Sequence, residues 1–448
     1  MSKTLFTLLL GLASVSAFSQ TIIIRNPDIQ QMVTEVSSDS LEQYVRDLAA
    51  FESRHTLNTN STNGMIAAQQ YVLSKFESFA KKSNGRMIAK IEEFIIPSDG
   101  RRIENDSPAA NVFATLKGTD PSDDRIFVLS AHMDSRNKNV MDKDGIAPGA
   151  NDDGSGTAAV IELARVMASR EFPATIVFVA FTGEEQGLKG ATYMSVKAKE
   201  EGWNIQAVLN NDIIGNSESS GTLIKDNLKM RVFSETIPVA ETEREASLRR
   251  YTGSENDSKS RQLARYIKEV GERYVDQFEI KLIYRADRFL RGGDQTAFAR
   301  NGFTAVRLSE MNENFYHQHE NVRVENGIQY GDLPEFMDYE YLRKVSSVNL
   351  ASLASLANSP SLPEEVQIDV RGLSNHSILV WKAPKIGKVK GYYVLMRETS
   401  SPMWEQKFWT TDTTLTIPYS KDNYFFAVQA VSESGAESLA VFPTPLSR

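Results

Sequence analysis

The stretch TIVFVAFTGEEQGLKGA, residues 175–191, runs a strongly apolar segment into two adjacent acidic side chains. Its first residues are typical of a buried strand, and Thr-Gly then leads into Glu184 and Glu185. Two neighbouring carboxylates at the mouth of a buried strand repel each other and resist the loss of water. A salt bridge to Lys189 would satisfy only one of them. A divalent cation would bind one carboxylate and leave the other free to accept a proton from water.

Outward from this stretch, strand-like and helix-like patterns alternate between about residues 109 and 310. Short β-rich runs (IFVLSA, TIVFVAF, AVLNND and TAVRLS) are separated by helical stretches such as GSGTAAVIELARVMASR. Residues 28–85 carry apolar side chains three and four apart, as helices do, and a final helix is predicted at about 336–357. The alternation predicts an α/β sheet with helices on both faces, and such sheets place ligands beyond the carboxyl ends of their strands.

Two further acidic motifs surround the ends of predicted strands. In VLSAHMDS, His132 and Asp134 lie two residues apart, so a strand would turn both side chains to one face. One could bind a metal while the other orients it, but taken alone the motif is better explained by an ordinary polar strand end. In PGANDDGSGTAAVIELA, Asp152 and Asp153 precede a helix that starts with Gly-Ser-Gly. Helix capping explains one aspartate but not the pair, and the small residues let other groups approach closely.

Asp212 follows another short strand in LNNDIIGN, and a late loop, NENFYHQHENV, offers Tyr316, His317 and His319. Each fragment alone is a weak signal. As a set, successive segments of one α/β pattern end in His, Asp, Glu-Glu and Asp, and these groups would repel at one sheet edge without a metal. Nitrogen and oxygen ligands favour zinc among the common ions. The chain has no cysteine, which excludes cysteine-ligated zinc and cysteine nucleophiles.

The motifs occur in the order His-x-Asp, Gly-x-Asn-Asp-Asp-Gly-Ser-Gly, Phe-Thr-Gly-Glu-Glu-x-Gly-Leu-x-Gly, Asn-Asp-Ile-Ile-Gly and Tyr-His. Over roughly residues 30–358 this set resembles the M28 family of zinc aminopeptidases. The resemblance implies a mixed central sheet flanked by helices, of the zinc-exopeptidase type, that holds two zinc ions. It implies five metal ligands: His132 and Asp212 on one ion, Glu185 and His317 on the other, and Asp152 bridging both. It also implies three residues around the reaction: Glu184 as general base, Asp134 as an orienting acid, and Tyr316 as a donor to the oxyanion.

Three positions near these motifs need comment. The family usually has an acid four residues after the last histidine, where this chain has Asn321. His319 is a rival ligand, but Tyr-His-Gln fits the motif and favours His317. Asp294, in RGGDQTAF, resembles a Ser-Asp-His segment of the family, yet both flanking residues differ, so no role is assigned to it. The remaining histidines are interpreted as structural or surface residues: His55 and His376.

Charge and the N-terminus bear on partners and location. The 448 residues contain 50 Lys and Arg against 58 Asp and Glu, so nucleic acid is not expected as a partner. Residues 1–19, within MSKTLFTLLLGLASVSAFSQ, have the pattern of a secretory signal peptide, with cleavage after Ala17 or Ser19. A membrane anchor is the alternative, but the apolar part is shorter than the ~20 residues that span a bilayer, and no later run reaches that length. A secreted or periplasmic protein is expected.

The chain divides near residue 358. Residues 20–358 carry every motif, and the Pro- and Ser-rich segment NSPSLPEE then resembles a linker. Residues 363–448 show short strands with turn signals, and Trp381 and the YFFAV run resemble buried positions of a fibronectin type III domain, so a small all-β sandwich is expected. Residues 217–275 interrupt the α/β rhythm and are interpreted as a possible insertion at the rim of the site, or as a solvated loop and helix.

The expected function is hydrolysis of N-terminal peptide bonds on peptides or proteins, with Glu184 as the general base. Two alternatives stay open. A glutaminyl cyclase resembles these enzymes but uses one zinc, although GEEQGLKG looks more like the peptidases. A non-catalytic extracellular binding protein is suggested by the sandwich, although the complete ligand set argues against it.

Overall fold

A large sheet of both parallel and antiparallel strands forms the centre of the protein, in a computed structural model that describes residues 25–446. Eight strands form it: β1 Met87–Ile96, β2 Ser107–Leu116, β3 Ile126–His132, β4 Thr175–Phe181, β5 Ile205–Asn211, β6 Lys229–Phe233, β7 Glu279–Ile283 and β8 Ala305–Glu310. Their order is β1-β2-β4-β3-β5-β8-β6-β7. The central neighbours β4, β3, β5 and β8 run parallel. The pairs β1–β2, β2–β4 and β6–β8 are antiparallel, and the edge strand β7 runs parallel to β6. The predicted mixed α/β sheet is confirmed.

Helices cover both faces of this sheet. The described helices are α1 Pro27–Glu35, α2 Ser38–Ala49, α3 Met65–Ala80, α4 Gly154–Met167, α5 Lys189–Glu200, α6 Glu243–Thr252, α7 Lys259–Tyr274, α8 Gln295–Arg300 and α9 Tyr339–Asn358. Side chains of α1–α4, α7 and α9 share one apolar core with alternate strand residues such as Phe127 and Leu129. The intervening residue Val128 packs on the other face with α5 and α8. The central strands are therefore buried on both sides, as their continuous apolar runs indicate.

Helix α4 packs closely against the sheet beside the ends of the central strands. A Cβ on Gly156 would lie 2.8 Å from the carbonyl oxygen of Asn211, closer than a side-chain carbon can approach. Glycine at this position lets the first turn of α4 contact the end of β5. Asp153 caps the same turn by accepting a hydrogen bond from the Gly156 N–H at 3.0 Å.

Residues 217–275 contribute a strand and a helix to the central architecture. Strand β6 pairs with β7 and β8 inside the large sheet. Helix α7 buries Leu263, Ile267 and Val270 in the same core as α9. The polar sequence that suggested an insertion belongs mainly to α6 and its flanks, where Ala246 is the buried residue of an otherwise largely exposed helix.

The region after α9 forms two small sheets. After the short antiparallel pair β9 Arg323–Glu325 and β10 Ile328–Tyr330, which precedes α9, the remaining strands are β11 Glu364–Ile368, β12 Ser377–Lys382, β13 Gly391–Glu398, β14 Gln406–Thr410, β15 Thr414–Ile417, β16 Tyr424–Val431 and β17 Thr444–Pro445. Their orders are β15-β12-β11-β17 and β14-β13-β16. Trp381 and Leu379 of the first sheet share a core with Val394 and Phe426 of the second, so the two sheets face each other.

Helix α7 joins the two parts of the molecule. Asp257, just before α7, is buried between Arg265 at 2.9 Å and Arg397 of β13 at 2.7 Å. Further along the helix, Arg273 pairs with Glu437 at 2.9 Å. The small sheets are therefore docked on the larger part through buried ion pairs.

Two observations concern membranes and the chain termini. None of the helices between residues 25 and 446 is both long and apolar enough to cross a membrane. The predicted signal peptide, residues 1–19, lies outside the described residues.

Candidate metal centre

The acidic and histidine motifs meet at one end of the central strands. Strand β3 ends at His132, β5 ends one residue before Asp212, and β4 ends shortly before Glu184 and Glu185. Because β4, β3 and β5 are parallel neighbours, their carboxyl ends lie side by side. The loop before α4 adds Asp152 to this edge.

The first group of possible ligands consists of His132, Asp152 and Asp212, whose ligand atoms all lie within 4.8 Å of one another. His132 Nε2 is 3.2 Å from Asp152 Oδ1 and 3.9 Å from Asp212 Oδ1. The other ring nitrogen, Nδ1, lies 3.0 Å from the carbonyl oxygen of Asp134. A carbonyl only accepts, so Nδ1 carries the proton and Nε2 presents its lone pair to the carboxylates, as in metal-binding histidines.

The second group consists of Asp152, Glu185 and His319, again with all ligand atoms within 4.8 Å. His319 Nε2 lies 2.8 Å from Asp152 Oδ2 and 2.8 Å from Glu185 Oε1. Neither His319 Nε2 nor Glu185 Oε1 makes a hydrogen bond within residues 25–446, although both atoms are buried. Burial lowers the pKa of His319, but Glu185 and Asp152 raise it to about 10 overall.

These observations fit zinc. The donors are imidazole nitrogens and carboxylate oxygens, the set that zinc accepts besides cysteine. The buried polar atoms that lack hydrogen bonds point toward a shared space between Asp152, Glu185 and His319. The two oxygens of Asp152 each face a different group, Oδ1 toward His132 and Oδ2 toward His319.

The structure corrects the choice between the two late histidines. His317 stacks on Phe336, with ring centroids 3.9 Å apart and planes 9° apart, and burial lowers its pKa to about 4. It belongs to neither group of ligands. The side chains of Gln318 and His319 both reach Asp152, so the turn presents these two residues, and not His317, to the centre. His319 has φ 58°, an uncommon backbone conformation for a residue with a side chain, and such positions cluster at functional sites.

Tyr316 also lies elsewhere than its expected role as an oxyanion donor requires. Its ring packs edge-on against Tyr330, with centroids 5.5 Å apart, and its hydroxyl lies beside Gly221. It is not among the described residues that line the cavity at the ligand groups. The structure therefore does not bring Tyr316 to the place where an oxyanion donor is needed.

Asp134 positions the two glutamates. Its carboxylate accepts hydrogen bonds from the backbone N–H of Glu184 at 3.2 Å and of Glu185 at 3.0 Å. It also accepts one from the Thr56 hydroxyl at 3.1 Å. Burial alone would raise the pKa of Asp134, but His132 and these N–H groups hold it below its ordinary value. Asp134 therefore contacts two parts of the site through different groups. Its backbone carbonyl orients the His132 ring, and its carboxylate fixes the turn that carries Glu184 and Glu185.

The aspartate pair has two separate tasks. Asp153 caps α4 and also accepts from the N–H of His132 at 3.2 Å and of Ile213 at 3.2 Å, which ties three elements of the site together. Asp152 faces the ligands instead, and its own N–H donates to Asp332 at 2.7 Å. The second aspartate that capping could not explain is therefore the one shared by the two groups.

Three residues that sequence reasoning missed support the ligands. Arg307 binds the second oxygen of Asp212 at 2.8 Å, and Arg136 binds Glu185 Oε2 at 2.6 Å. Asp332 holds the Asp152 backbone. One indication of Arg307 is present in the sequence, because this arginine interrupts the apolar strand in TAVRLS. Arg136 and Asp332 lie in loops, and the sequence around them gives no indication that they support ligands.

Glu184 lines a cavity of about 340 Å³ at the ligand groups. Burial raises its pKa well above the ordinary value, and Glu185 and Asp212 add to the shift. Asp294 is buried nearby, and its carboxylate oxygens make no hydrogen bond within the described part of the chain. Burial raises the pKa of Asp294 to about 8, and no role is assigned to it.

The two remaining histidines, His55 and His376, belong to neither ligand group. The His55 ring is buried, with Nε2 2.9 Å from the carbonyl oxygen of Val140, and His376 is exposed.

A mixed sheet whose parallel strand ends carry two overlapping His/carboxylate groups defines a metallohydrolase of the zinc-exopeptidase fold. Comparison with known proteins agrees: residues 111–333 match Peptidase family M28. The chain is 40% identical over 421 residues to a probable zinc metalloprotease of Leptosphaeria maculans, covering 93% of this chain and 97% of that protein. It is 41% identical over 427 residues to a probable zinc metalloprotease of Pyricularia oryzae, covering 93% and 84%. The protein belongs to peptidase family M28 and is a zinc metallopeptidase.

Solved structures support the fold. Legionella pneumophila LapA has a TM-score of 0.54 at 20% identity, covering 76% of this chain and 78% of that chain. An aminopeptidase from Aneurinibacillus sp. strain AM-1 has a TM-score of 0.51 at 13% identity, covering 73% and 96%. At these identities the likeness concerns the fold alone.

Proposed function

We propose that the protein is an aminopeptidase with two zinc ions, which hydrolyses the first peptide bond of peptides or proteins. The observation that carries the proposal is the position of Asp152, whose Oδ1 lies 3.2 Å from His132 and whose Oδ2 lies 2.8 Å from His319. One carboxylate shared by two ligand groups is the arrangement of a two-metal hydrolase. Some structural neighbours are described as aminopeptidases, which supports the choice of substrate.

Five residues would hold the zinc ions: His132, Asp152 and Asp212 on one side, and Asp152, Glu185 and His319 on the other. When bound there, zinc supplies Lewis acidity, which lowers the pKa of water and polarises a carbonyl. Arg307 and Arg136 bind the outer oxygens of Asp212 and Glu185.

Glu184 is the carboxylate at this edge that belongs to neither ligand group and lines the cavity. It accepts a proton from the water that attacks the carbonyl carbon, and it delivers that proton to the leaving amine as the C–N bond breaks. Asp134 accepts hydrogen bonds from the backbone N–H groups of Glu184 and Glu185 and so fixes this turn. The fixed backbone keeps the side chain of the base, Glu184, apart from that of the ligand, Glu185.

The test uses aminoacyl p-nitroanilides, which report cleavage after the first residue, together with their Nα-acetylated forms. We expect turnover of the free amines only, loss of turnover with a chelator, and recovery when zinc is added back. Glu184→Gln should keep its zinc and lose about 10²–10⁴-fold in kcat, the usual value of general-base catalysis. Glu185→Gln should lose the zinc ion of the group that contains Glu185 and His319, and should lose activity with it.

Other outcomes would contradict this function. Ring closure of an N-terminal glutamine peptide with release of ammonia, at one zinc per chain, would identify a glutaminyl cyclase. A folded, zinc-loaded protein that cleaves no substrate would identify a binding protein. Near-parental turnover of Glu184→Gln would remove Glu184 from the role of base.

We also propose that the protein is exported after loss of residues 1–19, which the sequence pattern supports. The N-terminal residue of the mature protein, read by mass spectrometry, tests this directly. A fibronectin type III-like identity for residues 363–448 is proposed from the buried Trp381 and the two facing sheets.

A further inference from the structure

The cavity beside the ligand groups, about 340 Å³ in volume, has a strongly basic wall. Four arginines line it: Arg102, Arg136, Arg288 and Arg291. The carboxylates that line it are those already placed at the centre: Asp152, Glu184, Glu185 and Asp212. With those carboxylates bound to cations or reserved for proton transfer, the charge that faces a substrate is positive.

The four arginines differ in what else they contact. Arg136 and Arg288 have carboxylate partners, Glu185 at 2.6 Å and Glu313 at 3.2 Å. Arg102 is exposed and donates to the backbone carbonyl oxygen of Glu185 at 2.7 Å. Arg291 is exposed, and its side chain has no hydrogen bond or ion pair to any residue between 25 and 446. Two guanidinium groups in the wall therefore lack a carboxylate partner.

We propose that this arginine wall, formed by the exposed Arg102 and Arg291 together with the less exposed Arg136 and Arg288, binds a carboxylate of the substrate close to the scissile bond. A guanidinium presents paired N–H groups that match a carboxylate, and such bonds strengthen in a partly enclosed cavity. Among residues 25–446, the apolar side chains that line the cavity are those of Leu188 and Leu290, so an aliphatic first residue finds little to pack against. The proposal deepens the proposed function and rests on it.

The carboxylate has two possible sources with the same chemistry. It is either the side chain of an acidic first residue, aspartate or glutamate, or the free C-terminus of a very short peptide. Two matched comparisons separate them. The first uses p-nitroanilides of Glu, Gln, Leu and Lys, and the second uses dipeptides with a free C-terminus against the same dipeptides as amides.

We expect at least about a tenfold advantage in kcat/KM for one acidic member over its neutral partner, the size of one charge-assisted hydrogen bond. A higher kcat/KM for the Glu than for the Gln substrate identifies the acidic side chain as the bound carboxylate. A higher kcat/KM for the free dipeptide than for its amide identifies the C-terminus. Arg291→Gln should reduce that advantage about tenfold, measured as the ratio of kcat/KM between the acidic and the neutral partner. Arg285→Gln is the matched control, because Arg285 is exposed in the same loop and does not line the cavity.

The two proposals fail in different ways. Equal turnover of acidic and neutral members in both comparisons, or an unchanged preference in Arg291→Gln, overturns the arginine wall and leaves the aminopeptidase standing. If no substrate is cleaved, the proposed aminopeptidase function fails. The arginine wall is then tested by ligand binding instead of by turnover. Free glutamate should then raise the melting temperature of the zinc-loaded protein more than glutamine does, and equal effects overturn the wall.

Discussion

Two histidines separated by one residue, His317 and His319, have opposite surroundings. His317 lies flat against Phe336 with a pKa lowered by burial, whereas His319 lies between two carboxylates that raise its pKa. The Tyr-His-Gln motif favoured the first of them. The choice depends on the backbone of one turn, in which His319 has φ 58°, and a pattern of residue types does not report that angle.

The histidine pair gives a matched test. His319→Ala should lose the second zinc and most activity, because the group of Asp152, Glu185 and His319 loses its only nitrogen. His317→Ala should keep its zinc content and lose stability instead, because a ring stacked on Phe336 is removed. Zinc per chain and the melting temperature of both purified variants decide between them. The reverse pattern of zinc loss would restore His317 as the ligand.

At the scale of elements, the site depends on how closely α4 approaches β5. Gly156→Ala would place a carbon 2.8 Å from the Asn211 carbonyl oxygen, beside the ligand Asp212. Overpacking of this kind costs about 1–3 kcal/mol, more than the better helix propensity of alanine returns. We expect a lower free energy of unfolding and weaker zinc binding.

Urea unfolding and a zinc titration of Gly156→Ala measure both effects. Gly372→Ala is the control, since a Cβ at that glycine would meet nothing within 4 Å. If Gly156→Ala were as stable as the control, the contact between α4 and β5 would not be the reason for glycine there.

The strands and the positions at their ends could be predicted from sequence because apolar runs report burial on both faces, and parallel strands bring their ends together. That reasoning places His132, Glu185 and Asp212 at one edge before any coordinates are known. Arg136 and Asp332 could not be found in the same way, since their partners lie 49 and 180 residues away. The strand and the core helix within residues 217–275 could not be predicted from sequence, because β6 is short and the polar helix α6 dominates the composition of the segment.

In the whole molecule, buried ion pairs hold the small C-terminal sheets against the larger part. Asp257 is 1% exposed and lies between Arg265 and Arg397, which are 2% and 1% exposed. A linker pattern between the two parts suggests independence, but these ion pairs indicate that they are stabilised together. Removing one member of such a pair leaves the others buried without compensation.

Asp257→Asn should therefore lower the free energy of unfolding by about 3–5 kcal/mol. Turnover of small substrates at a temperature where the variant is folded should stay near the parental value, because Asp257 lies outside the residues that line the zinc cavity. Asp276→Asn is the control, since Asp276 is 75% exposed in its pair with Arg25 and surface pairs contribute little. Equal stability of the two variants would show that the interface is not held by this network.

Asp152 is proposed to bind two cations at once, one through each carboxylate oxygen. The most direct measurement is the number of zinc ions per chain, determined by elemental analysis after removal of metal with a chelator and titration with zinc. We expect two zinc ions per chain at full activity in the parent protein, and loss of zinc binding at both positions in Asp152→Asn. A parent protein that is fully active with one zinc ion, or an Asp152→Asn variant that still binds two, would contradict it.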